Sequence, residues 1–286
     1  MNQIERLQSI EAYIPVDLTQ PINFLVAVFV VYFFVAFRYF LIVSPFQLFF
    51  YRTKNKFWIS RQIYKKLPNK EKQIYEIKWS VLTSGIFALA GAVMGLLWQL
   101  GYTQIYLKFD EYPLWYMPVS FLIYLVLHDT YFYWTHRWMH FPKIYRKVHA
   151  IHHKSLEPSG WASFSFHPIE SVIEAIILPI LILVVPIHPT VFIFHLTFMT
   201  LTAVSNHLGF ELLPKSSRFL GFPKYFISAT HHAQHHKYFN YNYGLYFSFW
   251  DRIMGTNHEK FDSEINERLG IESKNFESSD NSAQRA

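Results

Sequence analysis

Asn23 to Val43 reads NFLVAVFVVYFFVAFRYFLIV, with Arg38 its only charge. A run of about 20 apolar residues is long enough to cross a bilayer as one helix, so this stretch predicts a membrane span. It starts too late, and behind too few bases, to be a cleaved signal peptide. Trp79 to Leu100 repeats the pattern without a single charge. Pro113 to Leu127 is a third apolar run and continues into His128 and Asp129. Ile173 to Pro186 and Thr190 to Val204 are shorter, with only Ile187, His188 and Pro189 between them. They predict a helical hairpin that dips into the bilayer or crosses it. The fold expected is an all-α integral membrane protein with four to five membrane segments.

Composition agrees. The 286 residues are 51% hydrophobic and 20% aromatic but only 16% charged, against roughly 25% charged in soluble domains. A disordered chain, a coiled coil and a nucleic-acid-binding tail protein are excluded. With Cys 0, so are a disulfide framework, a thiol nucleophile and a cysteine-ligated iron–sulfur cluster.

The net charge of +6 is unevenly placed. Between Tyr51 and Lys78 lie Arg52, Lys54, Lys56, Arg61, Lys65, Lys66, Lys70, Lys72 and Lys78, against Glu71 and Glu76 alone. Basic loops stay on the cytoplasmic side, so this loop is expected there. The N-terminus (Glu5, Arg6, Glu11, Asp17) is expected outside. Arg137, Lys143, Arg146 and Lys147 fall on the cytoplasmic side again, two crossings later. The chain divides into an N-terminal segment (1–21), membrane helices with the basic loop (22–112), a histidine-rich helical domain (113–258) and a polar tail expected to be partly disordered (259–286).

All fifteen histidines lie between His128 and His258. His136 and His140 form an HxxxH; His149, His152 and His153 form an HxxHH; His232, His235 and His236 form another, preceded by His231. Residues three and four apart share a helix face, so each HxxHH is expected to converge three imidazoles on one patch. Imidazole suits Fe, Zn, Cu and Ni. Eight such ligands are too many for one ion and suit two ions with open positions. His207 is a candidate ninth ligand. Asp129 and Tyr133 share the face of His136 and His140, and Asp129 is expected to accept a ligand N–H and orient its ring. His128 is a weaker candidate; His167 is read as a packing or hydrogen-bonding residue, and His188, His195 and His258 as structural or surface. Trp161, Phe164 and Phe166 are candidate entrance residues.

The three boxes, together with His167-Pro168-Ile169-Glu170, Asn206-His207-Leu208-Gly209, Asn242-Tyr243-Gly244, Trp250-Asp251 and Gly255-Thr256, resemble the fatty acid hydroxylase/sterol desaturase superfamily over roughly 113–256. The resemblance implies a membrane-bound non-haem diiron oxygenase with a cytosolic metal site, acting on a sterol, sphingolipid, fatty acyl or ether lipid. It implies two Fe ions (Zn being possible in isolated protein), O2 and lipid entry from the bilayer. The sequence carries no G-x-G-x-x-G fingerprint, cysteine cluster or fused haem signature. Electrons are therefore expected from a separate protein such as cytochrome b5 or ferredoxin, for which the basic loop is a candidate dock. A zinc-dependent membrane hydrolase and a histidine-lined metal transporter are the rival readings. No dilysine or KDEL-type signal ends the chain, which favours a bacterial cytoplasmic membrane over endoplasmic reticulum.

Overall fold

The computed structural model of the chain describes residues 13–216 and 225–269. Glu5, Arg6 and Glu11, and the polar tail beyond residue 269, lie outside them. The described residues are helical, with only isolated β-bridges. Five long helices coincide with the five apolar runs: α1 (Pro21–Phe50), α3 (Lys70–Gln99), α4 (Tyr116–Met139), α7 (Pro168–Val184) and α8 (Pro189–His207). Short helices join or follow them: α2 (Lys56–Ile59), α5 (Pro142–Val148), α6 (Ala150–His153), α9 (Ala229–Tyr238), α10 (Phe249–Ile253) and α11 (Phe261–Arg268).

α1 and α3 are long and apolar enough to cross a membrane. On α1, Phe29, Phe33, Phe34, Phe37 and Leu41 stay exposed, a surface that is costly in water and free of cost in hydrocarbon. α3 turns a face of small and polar residues inward: Glu76, Ser80, Thr83, Ser84, Ala88 and Ala92 are buried at helical spacing. Small residues let helices approach closely; a Cβ at Gly91 would sit 2.9 Å from Val31 of α1.

That face grips the segment between the second box and α7. Ser80 Oγ and Tyr39 Oη each donate to the Trp161 carbonyl at 2.8 Å, and Thr83 Oγ1 donates to that of Phe164. Ser159 Oγ makes a short hydrogen bond to Glu76. Helices α4, α7 and α8 pack around Tyr124, Leu181, Ile182 and Val191. His167 and His188 cap α7 and α8, each Nδ1 accepting the backbone N–H two residues on, with proline at the first helical position of both.

The basic loop folds against the histidine-bearing end of the bundle. Ile63 N donates to the Gly209 carbonyl at 2.8 Å, and Lys154 sits over the Tyr75 ring. One of its nine bases is withdrawn from the surface: Arg61 is buried and donates to the carbonyls of Glu211 and Leu213. The first residues of the polar tail are ordered. Phe261, Ile265 and Leu269 recur every four residues and bury one face of α11 beside Leu213.

Candidate metal centre

Nine histidines meet at one end of the bundle. His136 and His140 come from the last turn and cap of α4; His149, His152 and His153 from the α5–α6 segment; His207 from the end of α8; His232, His235 and His236 from α9. They form two groups. His136, His140, His149, His153 and His235 make one; His152, His207, His232 and His236 make the other; within each group one ligand atom per residue lies within 4.8 Å of the rest.

The grouping cuts across the boxes, contrary to the expectation of three rings per patch. His149 and His153 join the first group and His152 the second, while His232 and His236 join the second and His235 the first. The reason is helix geometry. Residue i+4 lies about 40° from residue i on one side and i+3 about 60° on the other, so i+3 and i+4 are a full residue step apart. Each HxxHH therefore supplies two rings to one group and one to its neighbour.

The ring tautomers follow from their partners. Nδ1–H donates to a carbonyl in His136 (Tyr243, 2.9 Å), His152 (Ser165, 3.3 Å), His207 (Ala203, 2.7 Å) and His235 (Tyr241, 2.7 Å). In His149 it donates to the Glu170 carboxylate at 2.6 Å. A neutral imidazole has one N–H, so Nε2 of these five rings is a lone pair. Yet the Nε2 atoms of His136 and His149 face each other at 3.1 Å, and those of His152 and His207 at 3.4 Å. Two acceptors cannot hydrogen-bond. The Nε2 atoms of His153 and His235 (3.0 Å), His207 and His232 (2.9 Å), and His232 and His236 (3.1 Å) are also close together. A metal–nitrogen bond of about 2.1 Å sets neighbouring ligand nitrogens roughly 3.0–3.4 Å apart, at angles from 90° to tetrahedral. The donor set fits two cations. Burial, reinforced by neighbouring imidazoles, pushes His149, His152, His153, His232, His235 and His236 below the ordinary imidazole range. The neutral form this favours is the ligating form.

Asp129 and Tyr133 are placed differently from the sequence expectation. Asp129 Oδ1 accepts the backbone N–H groups of Leu245 (3.1 Å), Tyr246 (2.7 Å) and Phe247 (3.1 Å), and no histidine N–H. Tyr133 Oη shares a hydrogen with Thr256 Oγ1 at 2.9 Å and accepts from Arg137. Both pin the 241–256 segment. Asp251 completes the clamp, accepting from Tyr243 N, Gly244 N and Thr256 Oγ1, each at 2.8 Å. Asn242, at φ 60°, bonds His231 and His258 backbone groups through its side chain. A side chain at Gly244 would collide with the Phe247 carbonyl and with Asp251. The loop so held presents the Tyr241 and Tyr243 carbonyls that orient His235 and His136.

Several residues stand outside the two groups. His128 Nδ1 lies 3.3 Å from His195 Nε2 and 3.2 Å from Tyr246 Oη. His231 lies 3.8 Å from Asp251, and His258 stacks on Tyr238. Phe164 and Phe166 line a cavity described next, whereas Trp161 packs on Tyr39 and Phe40. Glu170 was legible only as part of a motif; its ligand-orienting contact had a sequence signal, a carboxylate in the first turn after a His-Pro cap. The orienting carbonyls have none.

A cavity of about 160 Å³ reaches from mid-bundle, at Val31, Met94, Leu178 and Leu196, to Phe132 and Phe166. A smaller one of about 50 Å³ touches His136, His149, His152, His207 and His232. Phe132, Ser163, Phe166, Glu174, Ala203 and Leu245 line both, so the apolar space abuts the histidines.

An all-α bundle with exposed apolar helices and paired imidazole clusters at one end defines a histidine-box membrane protein. Residues 121–256, just under half of the chain, match the family model described as fatty acid hydroxylase, and this match and the relatives below support the fatty acid hydroxylase/sterol desaturase superfamily. It is 30% identical to human lathosterol oxidase over 183 residues, covering 63% of this chain and 60% of that one. It is 34% identical to a Delta(7)-sterol 5(6)-desaturase of Aspergillus fumigatus over 157 residues, covering 54% and 42%. It is 31% identical to that of Saccharomyces cerevisiae over 171 residues, covering 59% and 45%. The chain thus spans 60% of the human relative's length and less than half of these fungal ones. No solved structure matches it.

Proposed function

We propose that the chain is a membrane-bound, O2-dependent lipid oxidoreductase whose two histidine clusters hold two iron ions, with sterol desaturation its first candidate reaction. The carrying observation is the set of Nε2 lone pairs that face one another beside an apolar cavity. Such an arrangement has no hydrogen-bonding solution and has a metal-binding one. The names of the curated relatives support a sterol as substrate.

When bound, the iron pair supplies the redox chemistry with O2 that an unactivated C–H bond requires and that no acid–base side chain can supply. The protein's own groups do the rest. Nine imidazoles hold the ions; Glu170 and four backbone carbonyls fix ring orientation. Phe132, Phe166 and Leu245 form an apolar wall at the junction between the cavities. The exposed Lys54, Lys56, Lys65 and Lys66 suit an acidic electron-transfer protein at the histidine end. The orientation with that end in the cytoplasm and the count of four to five spans belong to this proposal.

The test is metal analysis of the purified protein, joined to O2 consumption with a reductant and a sterol-containing lipid extract. Two irons per chain and sterol-dependent O2 uptake are expected. Zinc with ester hydrolysis and no O2 uptake would replace this reading with a hydrolase.

A further inference from the structure

His128 of α4 lines the apolar cavity and takes no part in either histidine cluster. Its Nδ1 is engaged, with Tyr246 Oη at 3.2 Å and His195 Nε2 at 3.3 Å. Its Nε2 has no hydrogen-bond partner among the described residues. Unlike His195 Nδ1, that nitrogen is not sealed inside the protein. The open nitrogen of a cavity-lining ring calls for a partner that enters the cavity.

The neighbours decide which nitrogen carries the proton. In apolar surroundings the neutral ring is the cheaper form, with one N–H and one lone pair. Were the proton on His128 Nδ1, it would donate to His195 Nε2 or to Tyr246 Oη. His195 would then hold its own proton on the sealed Nδ1 or point it at the Nδ1–H of His128, unmet either way. The Tyr246 hydroxyl would also lack an acceptor, since His128 Nδ1 is its one side-chain partner among the described residues. Each unmet buried donor costs about 1–3 kcal/mol. With the proton on Nε2, the Nδ1 lone pair accepts from Tyr246 O–H and His195 Nε2–H, and one lone pair, on His195 Nδ1, is all that goes unmet. His128 therefore turns an N–H donor toward the cavity.

A donor selects an acceptor. The oxygen of a hydroxyl, ketone or ether satisfies it, an ammonium cannot, and a plain hydrocarbon leaves the N–H desolvated and unpaired. Position adds a distance. His128 lies four residues, one turn or about 6 Å along the helix axis, before Phe132, which lines both cavities. Tyr246 is delivered by the segment that orients His136 and His235, and its N–H donates to Asp129 Oδ1 at 2.7 Å. One segment thus ties the ring that faces the lipid to the rings of the metal centre.

We infer that His128 is a specificity-determining residue whose Nε2–H donates to an oxygen of the lipid and holds it one helical turn deeper in the bundle than the metal-side junction. This rests on the oxidoreductase reading above and deepens it by naming an oxygen-bearing lipid.

The test is equilibrium binding of three probes to the purified full-length, metal-loaded chain: a sterol alcohol, the corresponding ketone and the deoxygenated sterol hydrocarbon. Alcohol and ketone both offer an acceptor and should bind alike. The hydrocarbon should bind about tenfold more weakly, the scale of one hydrogen bond. His128→Leu should erase that tenfold difference. His128→Gln keeps a side-chain N–H and should retain part of it, which separates recognition from misfolding. Metal content is read in the same samples. Equal binding of all three probes to metal-replete wild type, binding of none, or a tenfold difference that survives in His128→Leu overturns this inference and leaves the oxidoreductase reading standing. So does a clear preference for alcohol over ketone, which would make Nε2 an acceptor, or loss of metal from both variants, which would make His128 a structural residue. Failure of the wild type to bind metal strikes the oxidoreductase reading itself.

Discussion

The two histidine clusters are built from the same side chain and differ in what stands behind them. In the five-histidine group, His149 leans on a carboxylate, Glu170, and His136 and His235 on the backbone carbonyls of Tyr243 and Tyr241. In the four-histidine group the orienting partners of His152 and His207 are backbone carbonyls. A carboxylate behind an imidazole raises its donor strength beyond what a neutral carbonyl does. The first group therefore has more ligands and the stronger donor, and its proposed ion should be held more tightly than its neighbour.

The strongest way to break this contrast is to remove one ring from each side. His235→Ala should cost the five-ring cluster its ion, and His152→Ala the four-ring cluster its own, with activity abolished in both. Metal stoichiometry of the inserted protein checks it; loss of both ions from either variant would make the clusters one inseparable unit. Next in size, Glu170→Gln removes the carboxylate and keeps the shape. Affinity at the five-ring site should fall about 10–100-fold with little change at the other, as read by chelator competition. A fall at both sites would show that Glu170 serves the whole end of the bundle. Asp129→Asn acts at a distance. It weakens the hold on Leu245, Tyr246 and Phe247 by about 2 kcal/mol, so both ions should remain while turnover slows; metal analysis beside turnover separates this from a ligand's role. The smallest effect belongs to His188→Ala. It removes the cap of α8, worth about 1 kcal/mol, and should lower the melting temperature without altering metal content.

Much of this was readable before any coordinates. The five apolar runs became the five long helices, because in those stretches length and hydropathy leave little alternative to a helix. Eight of the nine clustered histidines were candidates by spacing, and His207 was one by its place at the end of the fifth apolar run. Their division was not legible: an HxxHH says which rings are near, while the split depends on how α6 and α9 rotate against each other. Asp129 misled because its helical phase matches His136, yet three backbone N–H groups of a segment more than a hundred residues away reach it first. Arg61 and Phe261 show the same limit, a loop base and a tail aromatic buried by partners that the local sequence does not announce.

The order in which the ligands emerge along the chain has a consequence for biogenesis. His136 to His153 precede the α7–α8 hairpin, His207 closes it, and His232 to His236 follow it. Neither cluster can be complete until the hairpin has settled in the bundle and the chain has returned past it, a closure of long sequence separation. Loading of the proposed ions would then follow membrane insertion, since a chain stalled just before residue 232 carries only six of the nine imidazoles.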